Sequence, residues 1–346
     1  MRPVPLFVEL CAGTAALSLR LQQRKAKPPV SRMGSKSGYA NAILRVLGLH
    51  AGQKAEHYLL CEPDAGCRLL LEAYRDRALA LAAADIIRSW ADEEPRALWE
   101  RLRAEGPPVC PPADAREVAR WAWVQGRAYQ GAAWGSSFLP VAHPVNGTNG
   151  TSPACTARRL ADQAPLPATI TPDARTVDPR EVARWATVQR LTIPQAQARG
   201  AGPSDFNGGK PQSLMGQARS IVERSGLPAT IADDARPIEP GNLPPGTVVY
   251  ADVPYQGTTG YAHLFPREEW LPVVRRWAEA GAVVCISEAE PIPELVADGW
   301  HAVEITGARV GQARTFSKQK CEWLTLNRPP AWTVPVQTGL FTTMEK

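Results

Sequence analysis

The chain has 346 residues, 44% of them hydrophobic and 21% charged, with a formal net charge of +5. This balance reads as globular, with either one large domain or a core carrying a sizeable insertion. The mild positive charge permits a nucleic-acid partner without requiring one. Seven cysteines, at 11, 61, 67, 110, 155, 285 and 321, form no CxxC pair. Their scatter argues against disulfides and zinc, and for buried thiols in a reducing cytoplasm. No apolar run reaches membrane-spanning length, and the opening MRPVPLFVEL lacks a signal pattern, so neither a membrane span nor secretion is expected.

In chain order, residues 6–10, LFVEL, read as a first strand, and CAGTAALSLRL as a tight turn into a helix. A basic linker then leads to SRMGSKSGYANAILRVLGL, a glycine-containing loop opening a second helix. HYLLCEPD (57–64) is a second strand ending in acids, and GCRLLLEAYRDRALALAAADIIRSW continues as helix. Strand and helix alternate, which is the α/β signature. Further on, PATI (228–231) is a short strand, EEWLPVVRRWAEAG an amphipathic helix and AVVCISEAE a buried strand. HAVEITGARV and KCEWLTLN are expected to close the fold as an antiparallel pair.

The middle of the chain repeats itself. REVARWAWVQ (116–125) returns as REVARWATVQ (180–189), and ARRLADQAPLPATITPDARTVDP (157–179) as ARSIVERSGLPATIADDARPIEP (218–240). The helices match while the intervening loops differ. Such a pair is either a scaffold presenting variable recognition loops or one neutral extra copy.

Several polar residues fall where α/β sheets place ligands. Glu9, Cys11, Ala12, Gly13 and Thr14 lie in the first strand–turn–helix, where glycine serves either close ligand approach or tight packing. No GxGxxG or Walker lysine accompanies them, which disfavours a phosphate loop. Gly34, Ser35 and Lys36 form a second small-residue loop; Lys36 is either a contact for a ligand carboxylate or a solvated lysine. Glu62 and Asp64 end the second strand, where a carboxylate either binds ribose hydroxyls or caps the next helix. Asp233 and Asp234 follow PATI, the better placed of the two Asp-Ala-Arg copies because it runs directly into the next strand.

The strongest signal is VVYADVPY (248–255). Val248, Val249 and Tyr250 are strand formers, and Pro254 stops the strand. Asp252 therefore sits at a strand's carboxyl end, where it can accept hydrogen bonds from an amino group while Tyr255 stacks on a flat base.

Together these residues resemble the Dam-type, adenine-specific DNA methyltransferases that use S-adenosylmethionine. DVPY resembles that family's Asp-Pro-Pro-Tyr motif, ELCAGTAAL its methionine-binding loop, RMGSK its cofactor loop and HYLLCEPD its ribose-binding strand. The matches touch roughly residues 6–80 and 228–328. Three departures stand out. Val253 replaces the first proline of the motif, Ala15 the second glycine of the methionine-binding loop, and RMGSK follows ELCAGT instead of preceding it.

The resemblance implies a Rossmann-like S-adenosylmethionine-dependent methyltransferase fold with a central target-recognition insertion. Residues 1–110 and 227–330 form the two parts of the core, 111–226 the insertion that contacts double-stranded DNA, and 331–346 a flexible tail. It implies a cofactor site of Glu9, Cys11, Ala12, Gly13, Thr14, Gly34, Lys36, Glu62 and Asp234, and a catalytic set of Asp252, Val253, Pro254 and Tyr255. The target adenine is flipped out and stacked on Tyr255, while the Asp252 carboxylate and the Val253 carbonyl accept the amine hydrogens. In the tail, Gln337–Phe341 (QTGLF) resembles peptides that dock on the bacterial sliding clamp. The setting implied is the cytoplasm of a bacterium or a phage-infected host. Methylation of the cytosine 4-amino group, a non-catalytic DNA or clamp binder on this fold, and an RNA-acting lookalike remain as alternatives.

Overall fold

The structure, a computed structural model, describes residues 2–30, 35–128, 214–255, 263–305 and 322–331. The recognition loops, Gly34 and Gln337–Phe341 lie outside the described residues. Strands β1 (Val4–Leu10), β2 (Ala55–Cys61), β3 (Ala229–Ala232), β4 (Val248–Ala251), β5 (Val283–Glu288), β6 (His301–Ile305) and β7 (Glu322–Leu326) form one sheet in the order β3-β2-β1-β4-β5-β7-β6. Strands β1 to β5 run parallel, and β7 lies antiparallel between β5 and β6. The result is a Rossmann-like α/β architecture in which an antiparallel strand enters near one edge.

The helices are α1 (Ala16–Gln22), α2 (Ala40–Val46), α3 (Ala65–Arg75), α4 (Arg77–Ser89), α5 (Pro95–Ala104), α6 (Ala115–Arg127), α7 (Leu214–Glu223), α8 (Arg267–Glu279) and α9 (Pro293–Ala297). Alternation along the strands sorts them onto two faces. Phe7, Tyr58, Leu60 and Tyr250 face a layer with Leu17, Ile43, Leu70 and Trp123. Val8, Leu10, Val249 and Ala251 face Trp270, Val274 and Trp277 of α8. Each of these tryptophans removes roughly 200 Å² from water, an upper-bound gain of about 5 kcal/mol apiece.

The single helix expected over GCRLLLEAYRDRALALAAADIIRSW is two. Asp76 adopts φ −100, ψ 109, and its carboxylate accepts from Ala78 N and Leu79 N. An aspartate that caps a new helix start offers the backbone an alternative to continuing the old one.

Helices α6 and α7 lie in the segment read as the insertion, yet both join the core's helical layer. α7 packs on α4 and α6, and α6 on α3 and α4. The core therefore reaches into segment 111–226 from both ends. α6 belongs to the first copy of the repeat and α7 to the second. They meet directly, Gln217 Nε2 donating to the Ala122 carbonyl at 2.5 Å.

Candidate active site

Strand order changes direction between β1 and β4, and the crevice outside the carboxyl ends of these two strands is where open α/β sheets bind ligands. Asp252 N donates to Leu10 O at 3.1 Å, so the DVPY segment continues straight off β4 beside the end of β1. Register pairs Glu9 with Tyr250 and Leu10 with Ala251. Glu9 and Asp252 consequently share one face of the sheet, while Val253 points to the other. There Val253 is buried within the apolar cluster that includes α8, which gives a hydrophobic β-branched residue a packing role at this position.

The turn after β1 is unusual. Cys11, Gly13 and Ala15 all have positive φ, at 62, 54 and 51. Two of the three are not glycine, and the left-handed region costs such residues roughly 1 kcal/mol each. Ala12 N donates to Cys61 O at 2.8 Å, tying the turn to the end of β2. Gly13 N donates to Glu62 Oε2 at 2.6 Å, and Asp64 N to Glu62 Oε1 at 3.0 Å. The Glu62 carboxylate thus braces both loops, one oxygen to each. A Cβ built on Gly13 would meet no atom within 4 Å. The glycine thus answers a backbone requirement at an open approach and is not there for tight packing. Ala12 and Thr14 of the same turn are buried. Asp64 takes the capping role, accepting from Cys67 N at 2.8 Å.

Glu9 is 3% exposed and accepts from Ser18 N at 2.6 Å, in the first turn of α1. Burial raises its pKa to about 7; the hydrogen bonding from Ser18 opposes that rise and the nearby Asp252 charge adds to it. Burial, with neighbouring acids, also raises the Cys11 thiol well above its ordinary value and that of Cys61 to about 12. Both thiols stay protonated and are poor nucleophiles.

At the end of β4 four polar side chains converge. Lys36, 8% exposed, opens a short 3-10 turn (Lys36–Gly38) and places Nζ 2.8 Å from Asp252 Oδ1 and 3.4 Å from Glu322 Oε1. The same ammonium lies 4.6 Å from the centroid of the Tyr255 ring, within cation–π range. The Tyr255 hydroxyl donates to Glu322 Oε1. Burial, followed by the charges of Asp252 and Glu322, pushes the Tyr255 pKa far up, which keeps the hydroxyl a donor. Beneath this cluster Tyr250 and Ser287 share a buried hydroxyl–hydroxyl bond of 2.6 Å.

The structure therefore brings Glu9, Cys11, Ala12, Gly13, Thr14, Lys36, Glu62, Asp252, Pro254 and Tyr255 to the carboxyl ends of β1, β2 and β4, with the Val253 side chain turned to the opposite face. Lys36 meets Asp252 although its loop follows ELCAGT in the chain. Asp234 is further out, after edge strand β3, where its carboxylate accepts from Arg236 N and Nε at 2.9 Å. Glu322 is the residue that sequence reasoning missed. Its only signal was an acid opening the otherwise apolar strand EWLTL.

No protein-family model matches the chain, and no curated protein is similar to it. Among the described residues no helix is long and apolar enough to cross a membrane. What the fold and site define together is a Rossmann-like α/β protein with a cluster of carboxylates at the carboxyl ends of its central parallel strands.

Proposed function

We propose that this chain is an S-adenosylmethionine-dependent DNA methyltransferase acting on the 6-amino group of a flipped adenine. The observation that carries this reading is the placement of Asp252 and Tyr255 at the end of β4, held by Lys36 and Glu322, beside the left-handed turn of β1. An acceptor and a flat ring at one strand end are what an exocyclic amine on a planar base requires. The residues also fit the cofactor: Gly13 is open, Glu62 and Glu9 are acceptors for hydroxyl and amino groups, and carboxylates suit a cation. When bound, S-adenosylmethionine would supply the methyl group from its electrophilic sulfonium.

The chain's own residues do the rest. Tyr255 stacks on the base, its ring tilt fixed by the bond to Glu322. Asp252 accepts one amine hydrogen, and the backbone carbonyl of Val253, which valine keeps in place of proline, accepts the other. This turns the nitrogen lone pair out of conjugation, so catalysis is orientation and electrostatics with no covalent intermediate. The segment 129–213 would supply target recognition on double-stranded DNA, and Gln337–Phe341 a tether to the sliding clamp that raises local concentration. The reading places the protein in the cytoplasm of a bacterium or an infected host.

The test is incubation of the full chain with methyl-labelled cofactor and mixed-sequence duplex DNA, followed by nucleoside digestion and mass spectrometry. Label is expected on N6 of adenine. Asp252→Ala should lower transfer by about a thousandfold or more while cofactor affinity, measured by calorimetry, is retained. Label on the cytosine 4-amino group would replace adenine as the substrate. Cofactor binding with no transfer to any DNA, or full activity of Asp252→Ala, would sink the reading.

A further inference from the structure

α1 leaves the carboxyl end of β1 and runs back along the sheet, so its last turn arrives at the opposite edge from Asp252. Backbone bonds fix this: Gly52 N donates to Arg20 O at 3.0 Å, Lys54 N to Leu21 O at 2.9 Å, and Val4 N to Lys54 O at 3.0 Å. Here a half-open cavity of about 520 Å³ is lined by Arg20, Arg24, Lys25, Asn41, Arg45 and His50, with no carboxylate among the described lining residues. Arg20 NH1 donates to Arg24 O at 3.0 Å, whereas its Nε is buried with no hydrogen-bond partner. Burial alone lowers the Arg20 pKa; no acid offsets it. Helix dipoles favour cations at Arg20 and Arg45, each in a helix's last turn. They do not account for Arg24 and Lys25, which lie beyond the end of α1.

From this cavity we propose a second site, distinct from the strand-end crevice, that binds a phosphate-bearing ligand. Guanidinium forks match phosphate oxygens in pairs, and a concave surface of one sign focuses the field on an incoming anion. The volume falls in the range of pockets that hold a nucleotide-sized group. The phosphate comes either from a free polyphosphate or nucleotide, or from a nucleic-acid backbone lying over the cavity mouth. The proposal does not depend on the methyltransferase reading.

The double variant Arg24→Glu/Lys25→Glu changes two exposed side chains remote from Asp252 and leaves Arg20 in place. In one arm, calorimetry with inorganic tripolyphosphate should show binding to the full-length chain, weakened by about tenfold or more in the variant. In the other arm, binding of mixed-sequence duplex DNA is followed against salt. A slope reduced by about two in the variant assigns the phosphate to the backbone. An unchanged slope with weakened tripolyphosphate binding assigns it to a free ligand. If the variant loses neither tripolyphosphate affinity nor salt slope, with thermal melting confirming that it is folded, the site does not exist.

Discussion

Replacing Glu9 by glutamine tests how the site holds its most buried acid. The amide keeps the shape and can still accept from Ser18 N, now 2.6 Å from Glu9 Oε1. What it removes is the charge. The folded-state pKa lies at about 7 against 4.5 for the free group, with burial the main cause. A carboxyl group whose pKa is raised by folding stabilises the native state fully below the unfolded value, and that stability is lost as pH rises through the folded value. At about 1.4 kcal/mol per pH unit, the interval from 4.5 to about 7 amounts to about 3 kcal/mol. Glu9→Gln should therefore match the wild type near pH 4.5 and exceed it by about 3 kcal/mol near pH 8. Urea unfolding of both proteins across that range measures the difference directly. Parallel stability curves, with no divergence between those limits, would refute the argument. The same group also links to ligand binding. On the methyltransferase reading the ligand is the cationic S-adenosylmethionine, so its binding should ionise Glu9 and release protons near neutral pH. Calorimetry in buffers of different ionisation enthalpy should detect that release in the wild type and not in Glu9→Gln.

Three further outcomes are expected. Glu322→Gln keeps an acceptor for the Tyr255 hydroxyl but removes the charge shared with Lys36; on the methyltransferase reading, single-turnover methyl transfer should fall by about tenfold with cofactor affinity unchanged, and less than additively with Tyr255→Phe. Gly66→Ala would place a Cβ 1.8 Å from Trp121 Nε1, and Trp121 is 3% exposed; the variant should lose about 1–3 kcal/mol in urea unfolding, and unchanged stability would refute the packing argument. Deleting 128–191, one period of the repeat, should leave a cooperative thermal transition, because α6 and α7 already pack on each other and a 22-residue connection, 192–213, still joins them; loss of cooperative unfolding would show that the core needs both copies.

The parts legible in the sequence are those set by local pattern. β4 and its terminal Asp252 followed from a β-branched run ended by proline, and β5 from an apolar run, because local chemistry specifies a buried parallel strand. The break at Asp76 was missed because aspartate inside a helical pattern signals a cap only when the chain turns there. Glu322 was missed for a different reason. Its partners Tyr255 and Lys36 are 67 and 286 residues away in sequence, and only the insertion of β7 beside β5 brings them together. The repeat was legible, but not which copies meet. A Cβ on Gly126 of α6 would lie 2.5 Å from Gln217 Nε2. The second copy has Arg190 at the corresponding position, 64 residues on, so that sequence could not take the place of α6 against α7 without displacing Gln217.

The distribution of charge constrains how the two proposed ligands could share the molecule. At the carboxyl edge of the sheet Glu9, Glu62, Asp234, Asp252 and Glu322 gather, and the cations beside them are already engaged. Lys36 lies between Asp252 and Glu322, and Arg236 bonds both Asp234 and Glu269. Such an edge favours a cationic ligand over a polyanion, since like charges at a few ångströms outweigh a net charge of +5 spread over the whole chain. DNA binding at this crevice therefore requires cations from beyond the described core. The segment 129–213 contains Arg158, Arg159, Arg175, Arg180, Arg184, Arg190, Arg199 and Lys210. On the methyltransferase reading these residues carry the phosphate contacts and the described core carries the chemistry. The salt dependence of DNA binding should then follow substitutions in that segment, while the rate of transfer on bound DNA follows Asp252, Tyr255 and Glu322.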